Sequence, residues 1–263
     1  MIIVGEKLNS SLEAARLAMK NRDAGAVIKL AKMQVDAGSS YLDLNAGMFY
    51  DAEVEVMEWL VKTIQEAVEV PFAIDSVNPA AMKRAFEVNT NPRPLMNSVT
   101  AGDKSFSSMT PILKEHPASV VALCMDDNGI PETVDQRVKI ADILVERLTK
   151  LGLTLGDIYI DPLVCPIGSG SHNGVAAIET VRKVVCNYPG IHIMCGLSNI
   201  SFGLPARKII NQVFLVSMMN AGMDGAILDP LDKRLMSCMY ACKAILGADD
   251  YCENFLDHFR KTY

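Results

Sequence analysis

Short apolar segments alternate with longer amphipathic segments along the whole chain. Eight short segments have the composition of buried strands, and each is followed by a segment with helical character. Between Glu53 and Val70, for example, apolar residues recur every three or four positions, which is the period of an α-helix. Strands that alternate with helices predict parallel β–α–β connections. The predicted strands are Ile2–Val4, Tyr41–Leu44, Phe72–Asp75, Pro94–Asn97, Ser119–Cys124, Ile158–Asp161, Ile191–Met194 and Gly225–Asp229.

Eight strand–helix units within 263 residues restrict the choice of α/β fold. A doubly wound sheet usually has fewer strands, whereas a (β/α)8 TIM barrel has eight strands and about 250 residues. No linker, low-complexity segment or block of like charge divides the chain. We therefore predict one TIM-barrel domain over residues 1–263. A helical pattern runs up to Asp36, and a final segment, Tyr251–Phe259, is expected to pack across one end of the barrel.

The charge balance and the hydropathy pattern exclude several classes of partner. The chain has 25 Lys and Arg against 31 Asp and Glu, a net charge of −6, which argues against a surface for nucleic acid or anionic lipid. No segment approaches the roughly 18 consecutive apolar residues of a membrane span. The apolar start at Ile2–Val4 is too short for a signal peptide. We expect a cytoplasmic protein that binds neither nucleic acid nor membrane.

The cysteines favour a reducing compartment. There are seven of them, an odd number, and most lie among apolar residues, which is typical of buried thiols rather than of a disulfide framework. Cys238 and Cys242 have the i, i+4 spacing of one helix face, but no second Cys or His pair has a matching spacing. We therefore predict no metal site.

The residues that follow the predicted strands are unusually polar. In a TIM barrel these positions surround the site at the carboxyl ends of the strands. Capping of the next helix or an Asx-turn is the commoner function of any single Asp or Asn there, above all for Asp126–Asn128 and for Asp229. Together, with almost no Lys or Arg among them, they favour a neutral or cationic heterocycle over a phosphate. They are Glu6, Asn9, Asp43, Asn45, Asp75, Asn78, Asn97, Ser98, Asp126, Asp127, Asn128, Asp161, Ser198, Asn199 and Asp229.

A pterin is a heterocycle of this kind. Its N3–H and 2-amino groups form an edge with two donors, and one carboxylate can accept from both. An Asn side chain donates as well as accepts and suits the remaining ring nitrogens. Asp75, Asn97 and Asp161 therefore make a chemically sensible recognition set.

Six short motifs also resemble those of the pterin-binding methyltransferases. This family includes the methyltetrahydrofolate:corrinoid protein methyltransferases and the folate module of cobalamin-dependent methionine synthase. The resemblance covers essentially the whole chain, in order and at full-length spacing. Any one tetrapeptide is weak, but six in register are specific. The motifs are Gly5–Asn9, Leu42–Gly47, Ile74–Ser76, Met96–Ser98, Ile160–Leu163 and Gly196–Ser201.

The resemblance implies a homodimeric barrel that moves a methyl group between N5 of tetrahydrofolate, in its 5-methyl form, and a corrinoid (cobalamin) on a separate protein. By this resemblance Asp75, Asn97 and Asp161 hold the pterin ring. Asn199 lies near N5 as the catalytic residue, because a tertiary amine leaves only when positive charge on N5 is stabilised. The other expected site residues are Glu6, Asn9, Asp43, Asn45, Gly196, Ser198, Phe202 and Arg207.

Phe202 and Arg207, which follow the last motif, are relevant to the identity of the partner and to binding of the folate tail. Phe202 follows Ser201, as in methionine synthase, whereas the branch that uses an iron–sulfur protein has a more polar loop there. Phe202 is therefore expected to face either the pterin tail or the corrinoid. For Arg207 two alternatives remain open, a contact with the folate glutamate or an ion pair on the next helix.

Two other functions remain as alternatives. A dihydropteroate synthase-like enzyme is disfavoured, because that family uses a Lys-containing late loop and a Ser-x-Arg near strand eight, where this chain has Leu228–Leu231. A non-catalytic folate-binding protein would have no need of Asn199. The chain lacks an Asp-x-His-x-x-Gly corrinoid motif and is too short for an added corrinoid domain, so the corrinoid is expected on a partner. The glycine-rich segment 168–174 lacks a phosphate-binding pattern and is expected to form a mobile loop beside the site.

Overall fold

The eight predicted strands form one closed barrel. In the computed structural model, which describes residues 1–262 and side chains up to Arg260, each strand pairs in parallel with the next, and the eighth pairs with the first. This confirms the (β/α)8 fold class. The strands are β1 (Ile2–Asn9), β2 (Tyr41–Asn45), β3 (Phe72–Asp75), β4 (Leu95–Thr100), β5 (Ser119–Leu123), β6 (Ile158–Asp161), β7 (His192–Gly196) and β8 (Gly225–Leu228).

The helices surround the barrel in the expected order, with one division that the periodicity did not show. Arg22 has a φ of 51°, and Asp23 then caps a new helix by accepting a hydrogen bond from the amide of Ala26 at 2.9 Å. The helices are α1 (Glu13–Lys20), α2 (Ala24–Asp36), α3 (Glu53–Gln65), α4 (Pro79–Val88), α5 (Asp103–Glu115), α6 (Val134–Lys150), α7 (Asn173–Asn187), α8 (Arg207–Ala221), α9 (Lys233–Ile245) and α10 (Glu253–Thr262).

The last helix lies elsewhere than predicted. Instead of packing across an end of the barrel, α10 lies along α9, where the ring of His258 stacks on that of Tyr240 at 4.5 Å between centroids. The stacked pair buries part of the apolar face of α10 against a neighbouring helix.

Strand β1 is longer than predicted because it contains an irregularity. The register with β2 shifts between Gly5 and Leu8, and the amide of Lys7 donates to the side-chain Oε1 of Gln34 at 2.8 Å instead of to the neighbouring strand. A Cβ on Gly5 would lie 2.5 Å from the same Gln34 oxygen, so only glycine leaves room for this contact. The irregularity positions Glu6 and Lys7 at the end of the barrel.

Side chains fill the barrel interior below the carboxyl ends of the strands. Tyr159 and Met194 lie there with small and branched residues from the other strands, each at most 5% exposed. An interior packed in this way is a core and not a channel. A ligand can therefore enter only at the carboxyl end. The buried members of this cluster are Val4, Ala73, Leu95, Val121, Tyr159 and Met194.

No helix within residues 1–262 combines the length and the apolar character that crossing a membrane requires.

Candidate functional site

Polar residues of β2, β3 and β4 lie side by side at the carboxyl end of the barrel. The strand register pairs Asn45 with Asp75, and Asp75 with Asn97. The Asn45 amide Nδ2 donates to Asp75 Oδ2 at 2.9 Å, while its Oδ1 accepts from the Ser10 hydroxyl at 2.9 Å and from the Gly47 amide at 3.0 Å. Asn45 is thereby fixed in one orientation. Its hydrogen bonds in turn hold the Asp75 carboxylate beside Asn97.

Asp43 lies one step deeper in the same mouth. It is 1% exposed, its Oδ2 accepts from Asn9 Nδ2 at 3.3 Å, and the Asn97 amide also faces it. Its second oxygen, Oδ1, is buried without a partner in the described residues. A buried carboxylate oxygen without a donor costs free energy, so this atom fits a ligand that brings a donor. The mouth therefore has the acceptors that a donor-rich heterocycle needs.

Asp161 ends β6 on the other side of the mouth. Its Oδ1 accepts from the Leu163 amide at 2.8 Å, and the Gly196 amide also donates to this carboxylate. Burial raises the pKa of Asp161 to about 7, although the two amides and Arg137 act in the opposite direction. Burial likewise raises the pKa of Asp75 to about 6, against the hydrogen bond from Asn45.

Raised carboxyl pKa values extend to two further residues of the mouth. Burial raises the pKa of Asp43, and the neighbouring Asp75 carboxyl raises it further. Burial also raises the pKa of Glu6, whose Oε2 accepts from the Ser198 hydroxyl at 3.2 Å. Several acids that hold protons more tightly than usual, within one concave mouth, are typical of a functional site.

One cation lies in the mouth where the sequence analysis expected almost none. Lys7, from the irregular part of β1, forms an ion pair with Asp229 at 2.5 Å. Asp229 also accepts from the Leu231 amide at 3.0 Å, but α9 is capped by Asp232. The expectation that Asp229 caps the next helix is therefore wrong. Nothing in the sequence distinguishes a lysine that is paired across the barrel, such as Lys7, from one that is unpaired.

Asn199 lies in a short 3-10 segment, Leu197–Ser201, directly after β7. Its side chain is exposed and folds back over Gly196, where an added Cβ would lie 3.1 Å from Asn199 Nδ2. The positions that cap this segment and α8 are Gly196 and Ala206, and neither contributes a side-chain hydrogen bond. Asn199 therefore does not cap the following segment. Its amide remains available at the mouth.

Arg207 holds the loop that carries Asn199. Its Nε donates to the Ser201 hydroxyl at 3.1 Å and its terminal nitrogen donates to the Ser198 carbonyl at 2.8 Å. Among the described residues it has no ion pair on α8, so that alternative is wrong, and a contact with the folate glutamate stays a prediction. The Phe202 ring is 68% exposed beside this guanidinium. The 168–174 segment lies next to this loop, since a Cβ added at Gly168 would lie 3.4 Å from Leu204 Cδ2.

Other polar residues after the strands have structural functions. Asn78 caps α4 by accepting from the Ala80 amide at 3.0 Å. Asp126 accepts from the Asn128 amide at 2.8 Å within a turn, as predicted for this segment. Asp127 accepts from the Asp103 amide at 3.0 Å, at the start of α5. These residues are occupied by backbone partners and do not join the mouth.

The described side chains form no group of three or more His, Cys, Asp and Glu residues arranged to hold a metal ion. That activity needs no metal stays a prediction.

The seven cysteines are free thiols, and three of them, Cys124, Cys195 and Cys242, are buried.

Sequence comparison identifies relatives along the whole chain. The family described as pterin binding enzyme matches residues 6–229. The chain is 38% identical to a methylcorrinoid:tetrahydrofolate methyltransferase of Eubacterium limosum, over 99% of this chain and 97% of that protein. It is 31% identical to the methionine synthase of Mycobacterium tuberculosis, over 87% of this chain but only 20% of that larger protein.

Structural comparison shows the same architecture in more distant proteins. The dihydropteroate synthase of Yersinia pestis superposes with a TM-score of 0.68 at 13% identity, over 94% of this chain and 93% of that one. A dihydropteroate synthase of Coxiella burnetii, solved with pteroic acid, gives a TM-score of 0.67 at 14% identity, over 92% and 93% of the two chains. At these identities the likeness shows the fold alone.

Proposed function

Because the chain belongs to the pterin-binding enzyme family, we propose that it transfers a methyl group between N5 of tetrahydrofolate and the cobalt of a corrinoid carried by a separate protein. The observation that carries this proposal is the full-length similarity to a methylcorrinoid:tetrahydrofolate methyltransferase. The acceptor-rich mouth supports it independently, because its residues fit the pterin half of that substrate pair.

The pterin ring is proposed to bind between Asp75, Asn97 and Asp161. Each carboxylate can accept the pair of donors formed by N3–H and the 2-amino group, and Asn97 can meet a ring nitrogen or the carbonyl. The partnerless Oδ1 of Asp43 offers one more acceptor at the bottom of the mouth. Binding would thus supply the hydrogen bond that Asp43 Oδ1 lacks.

Asn199 is proposed to act on the charge at N5. When bound, the corrinoid supplies the cobalt that gives or takes the methyl group. As the methyl–N5 bond breaks, the bonding electrons stay on the folate, so N5 needs a proton or a strengthened hydrogen bond to become a stable leaving group. An exposed amide fixed on the loop beside Gly196 can stabilise that charge more in the transition state than in the ground state.

The rim of the mouth offers a surface for the corrinoid-carrying partner. Apolar side chains project from the loops after β2, β3 and β7, where Met48, Val77 and Phe202 are exposed, Val77 to 91%. Exposed apolar side chains grouped around a site are typical of contact surfaces. A corrinoid has a large apolar face and must reach N5 from this side.

A homodimer is proposed on the outer face of α8. Ile209, Val213 and Val216 follow one another at helical spacing and are exposed, the first two to more than 60%. Replacing Val213 by Glu should convert dimers into monomers in sedimentation analysis, whereas Ile143→Glu on the outer face of α6 should not.

A cytoplasmic location is proposed from the seven free thiols.

Methyl transfer to or from free cobalamin tests the proposed function. The protein is mixed with 5-methyltetrahydrofolate and reduced Co(I) cobalamin, and with tetrahydrofolate and methylcobalamin in the reverse direction. Absorbance changes of the corrinoid should report transfer in at least one direction. Tight folate binding without transfer in either direction would favour the non-catalytic alternative. The dihydropteroate synthase alternative has only a similarity of fold in its favour.

A further inference from the structure

Arg137 is a buried cation that the proposed reaction does not use directly. It lies in the first turns of α6 and is 1% exposed, the largest side chain among those fully buried. Its guanidinium donates to three backbone carbonyl oxygens, with no carboxylate of residues 1–260 at ion-pair distance. Burial of a charged group without a direct counter-ion is costly, so its presence calls for a physical reason.

The three carbonyls belong to the loops that follow two adjacent strands, β5 and β6. One guanidinium nitrogen donates to the carbonyls of Pro162 and Leu163, each at 3.0 Å, and Nε donates to that of Pro131 at 3.3 Å. Pro162 and Leu163 directly follow Asp161 at the end of β6. Arg137 therefore connects the loop after β5 to the turn after β6.

The turn after β6 is fixed from two sides. The Leu163 amide donates to Asp161 Oδ1 at 2.8 Å, while the Leu163 carbonyl accepts from Arg137. Leu163 has a φ of 62°, a left-handed conformation that a leucine adopts only when its surroundings hold it. The hydrogen bond from Arg137 to the Leu163 carbonyl helps to stabilise this conformation, so Arg137 contributes to the orientation of the Asp161 carboxylate.

Arg137 is also the cation that faces Asp161 within the protein. The other groups around this carboxylate are the amides of Leu163 and Gly196 and the buried thiols of Cys124 and Cys195. Burial raises the pKa of both thiols, so they carry no charge near neutral pH. Burial pushes the pKa of Asp161 upward, and Arg137 opposes this.

We propose that Arg137 is a positioning residue for the folate site, which fixes the turn that carries Asp161 and places a positive charge near the carboxylate that accepts from the pterin donors. This inference rests on the proposed function. It predicts two separable contributions of Arg137 to folate affinity. One comes from the three hydrogen bonds of the guanidinium to backbone carbonyls, and the other comes from its charge. Lysine retains the charge but not the planar arrangement of donors.

Calorimetric titration with tetrahydrofolate between pH 5.5 and 8.5 tests the inference. In the wild-type protein, affinity should fall as pH drops below about 7, because Asp161 takes up a proton. In Arg137→Met the midpoint of this profile should move up by at least one pH unit, so that affinity at pH 7 falls roughly fivefold or more, and raising the pH should restore part of the loss. In Arg137→Lys the midpoint should stay in place while affinity falls at every pH.

Arg147→Met is the matched control. Arg147 lies on the same helix and also donates to a loop carbonyl, that of Ala101 at 2.8 Å, but it pairs with Asp103 and does not face Asp161. Its removal should leave the midpoint of the pH profile where it is in the wild type. Thermal midpoints of all variants identify those that are folded.

Each outcome decides the inference. An unchanged midpoint in folded Arg137→Met would overturn the electrostatic part, and wild-type affinity in Arg137→Lys would overturn the geometric part. If Arg137→Met does not fold, Arg137→Gln replaces it, because its neutral amide can still donate to the loop carbonyls, and an unchanged midpoint in this variant overturns the electrostatic part. A wild-type protein that does not bind tetrahydrofolate would instead remove the proposed function and, with it, this inference.

Discussion

At the scale of single residues, Asn199 is the residue that the proposed mechanism places beside the reacting atom N5. Asn199→Ala should reduce single-turnover methyl transfer by roughly 10²–10³-fold at saturating folate, because one electrostatic donor to the reacting centre is lost. The thermal midpoint should stay near that of the wild type, since the side chain is exposed and the capping positions of the adjacent segments are Gly196 and Ala206. A lowered midpoint with an unchanged rate would assign Asn199 a structural function instead.

The two carboxylates proposed to bind the pterin ring give a second residue-scale prediction. Asp75→Asn and Asp161→Asn should each weaken tetrahydrofolate binding by about 1.5–3 kcal/mol, because a charge-assisted pair of hydrogen bonds to the pterin is lost. Asparagine is preferred to alanine here, because its oxygen can still accept from the Leu163 amide or from Asn45. Calorimetric titration measures the change, with Asp126→Asn as control, because the Asp126 carboxylate accepts from Asn128 within its own turn. Unchanged affinity in both variants would remove the pterin assignment.

The residues that sequence reasoning found and missed differ in one physical respect. Asp75, Asn97 and Asp161 lie at the ends of predicted strands, and parallel strands bring their carboxyl ends together. The local sequence pattern was therefore enough to place these three residues at the mouth of the barrel. Lys7 and Arg137 depend on partners that lie far away in the chain, Asp229 and the carbonyls of Pro162 and Leu163. Such partners are defined only by the closed barrel. A charged residue in a helix otherwise looks like any exposed one.

At the scale of elements, seven of the eight strands were predicted to within three residues at either end, whereas β1 is five residues longer than predicted and the first helical pattern is two helices. Apolar spacing continues through α1 and α2, but the left-handed residue Arg22 and the cap Asp23 separate them. The irregularity in β1 was missed for a related reason, because it depends on Gln34 of α2 accepting from the Lys7 amide. Both features reflect contacts that override local propensity.

The irregular part of β1 gives the element-scale prediction. Gly5→Ala should lower the free energy of unfolding by about 1–3 kcal/mol, because the new Cβ would lie 2.5 Å from Gln34 Oε1 and 2.7 Å from Ser39 Oγ. Chemical denaturation followed by circular dichroism measures the loss. Gly156→Ala is the matched control, because that glycine likewise has no positive φ and its Cβ would meet only Thr154 Oγ1 at 3.8 Å. Equal losses would show that the contact with Gln34 is unimportant.

At the scale of the whole molecule, the buried acids of the mouth affect stability. The folded-state pKa of Asp161, about 7, lies above its ordinary value of 3.8, so the folded protein binds more protons than the unfolded chain between these values. The stability that this group contributes is present below pH 4 and is lost as pH rises through about 7. Asp161→Asn carries no such charge. Its stability relative to the wild type should therefore rise with pH, by up to about 1.4 kcal/mol per unit.

Thermal unfolding of the ligand-free proteins at pH 5, 6, 7 and 8 measures this difference. The comparison with a single variant cancels other titrating groups, among them His258, whose pKa burial lowers. Tetrahydrofolate should reverse the trend, because it binds the ionised form of the carboxylate. A difference between wild type and Asp161→Asn that does not vary with pH would contradict the buried-acid account.

The packed interior of the barrel determines the order of events in the proposed reaction. Tyr159, Met194 and their neighbours close the barrel below the mouth, so both substrates reach the reacting centre through a single opening. In the proposed reaction the folate would occupy the deeper position, and the much larger corrinoid protein would then cover it. Steady-state kinetics should therefore follow a compulsory sequence, in which folate binds first and leaves last. Free tetrahydrofolate would compete with its methylated form, but a bound corrinoid protein would prevent any exchange of folate until it dissociates.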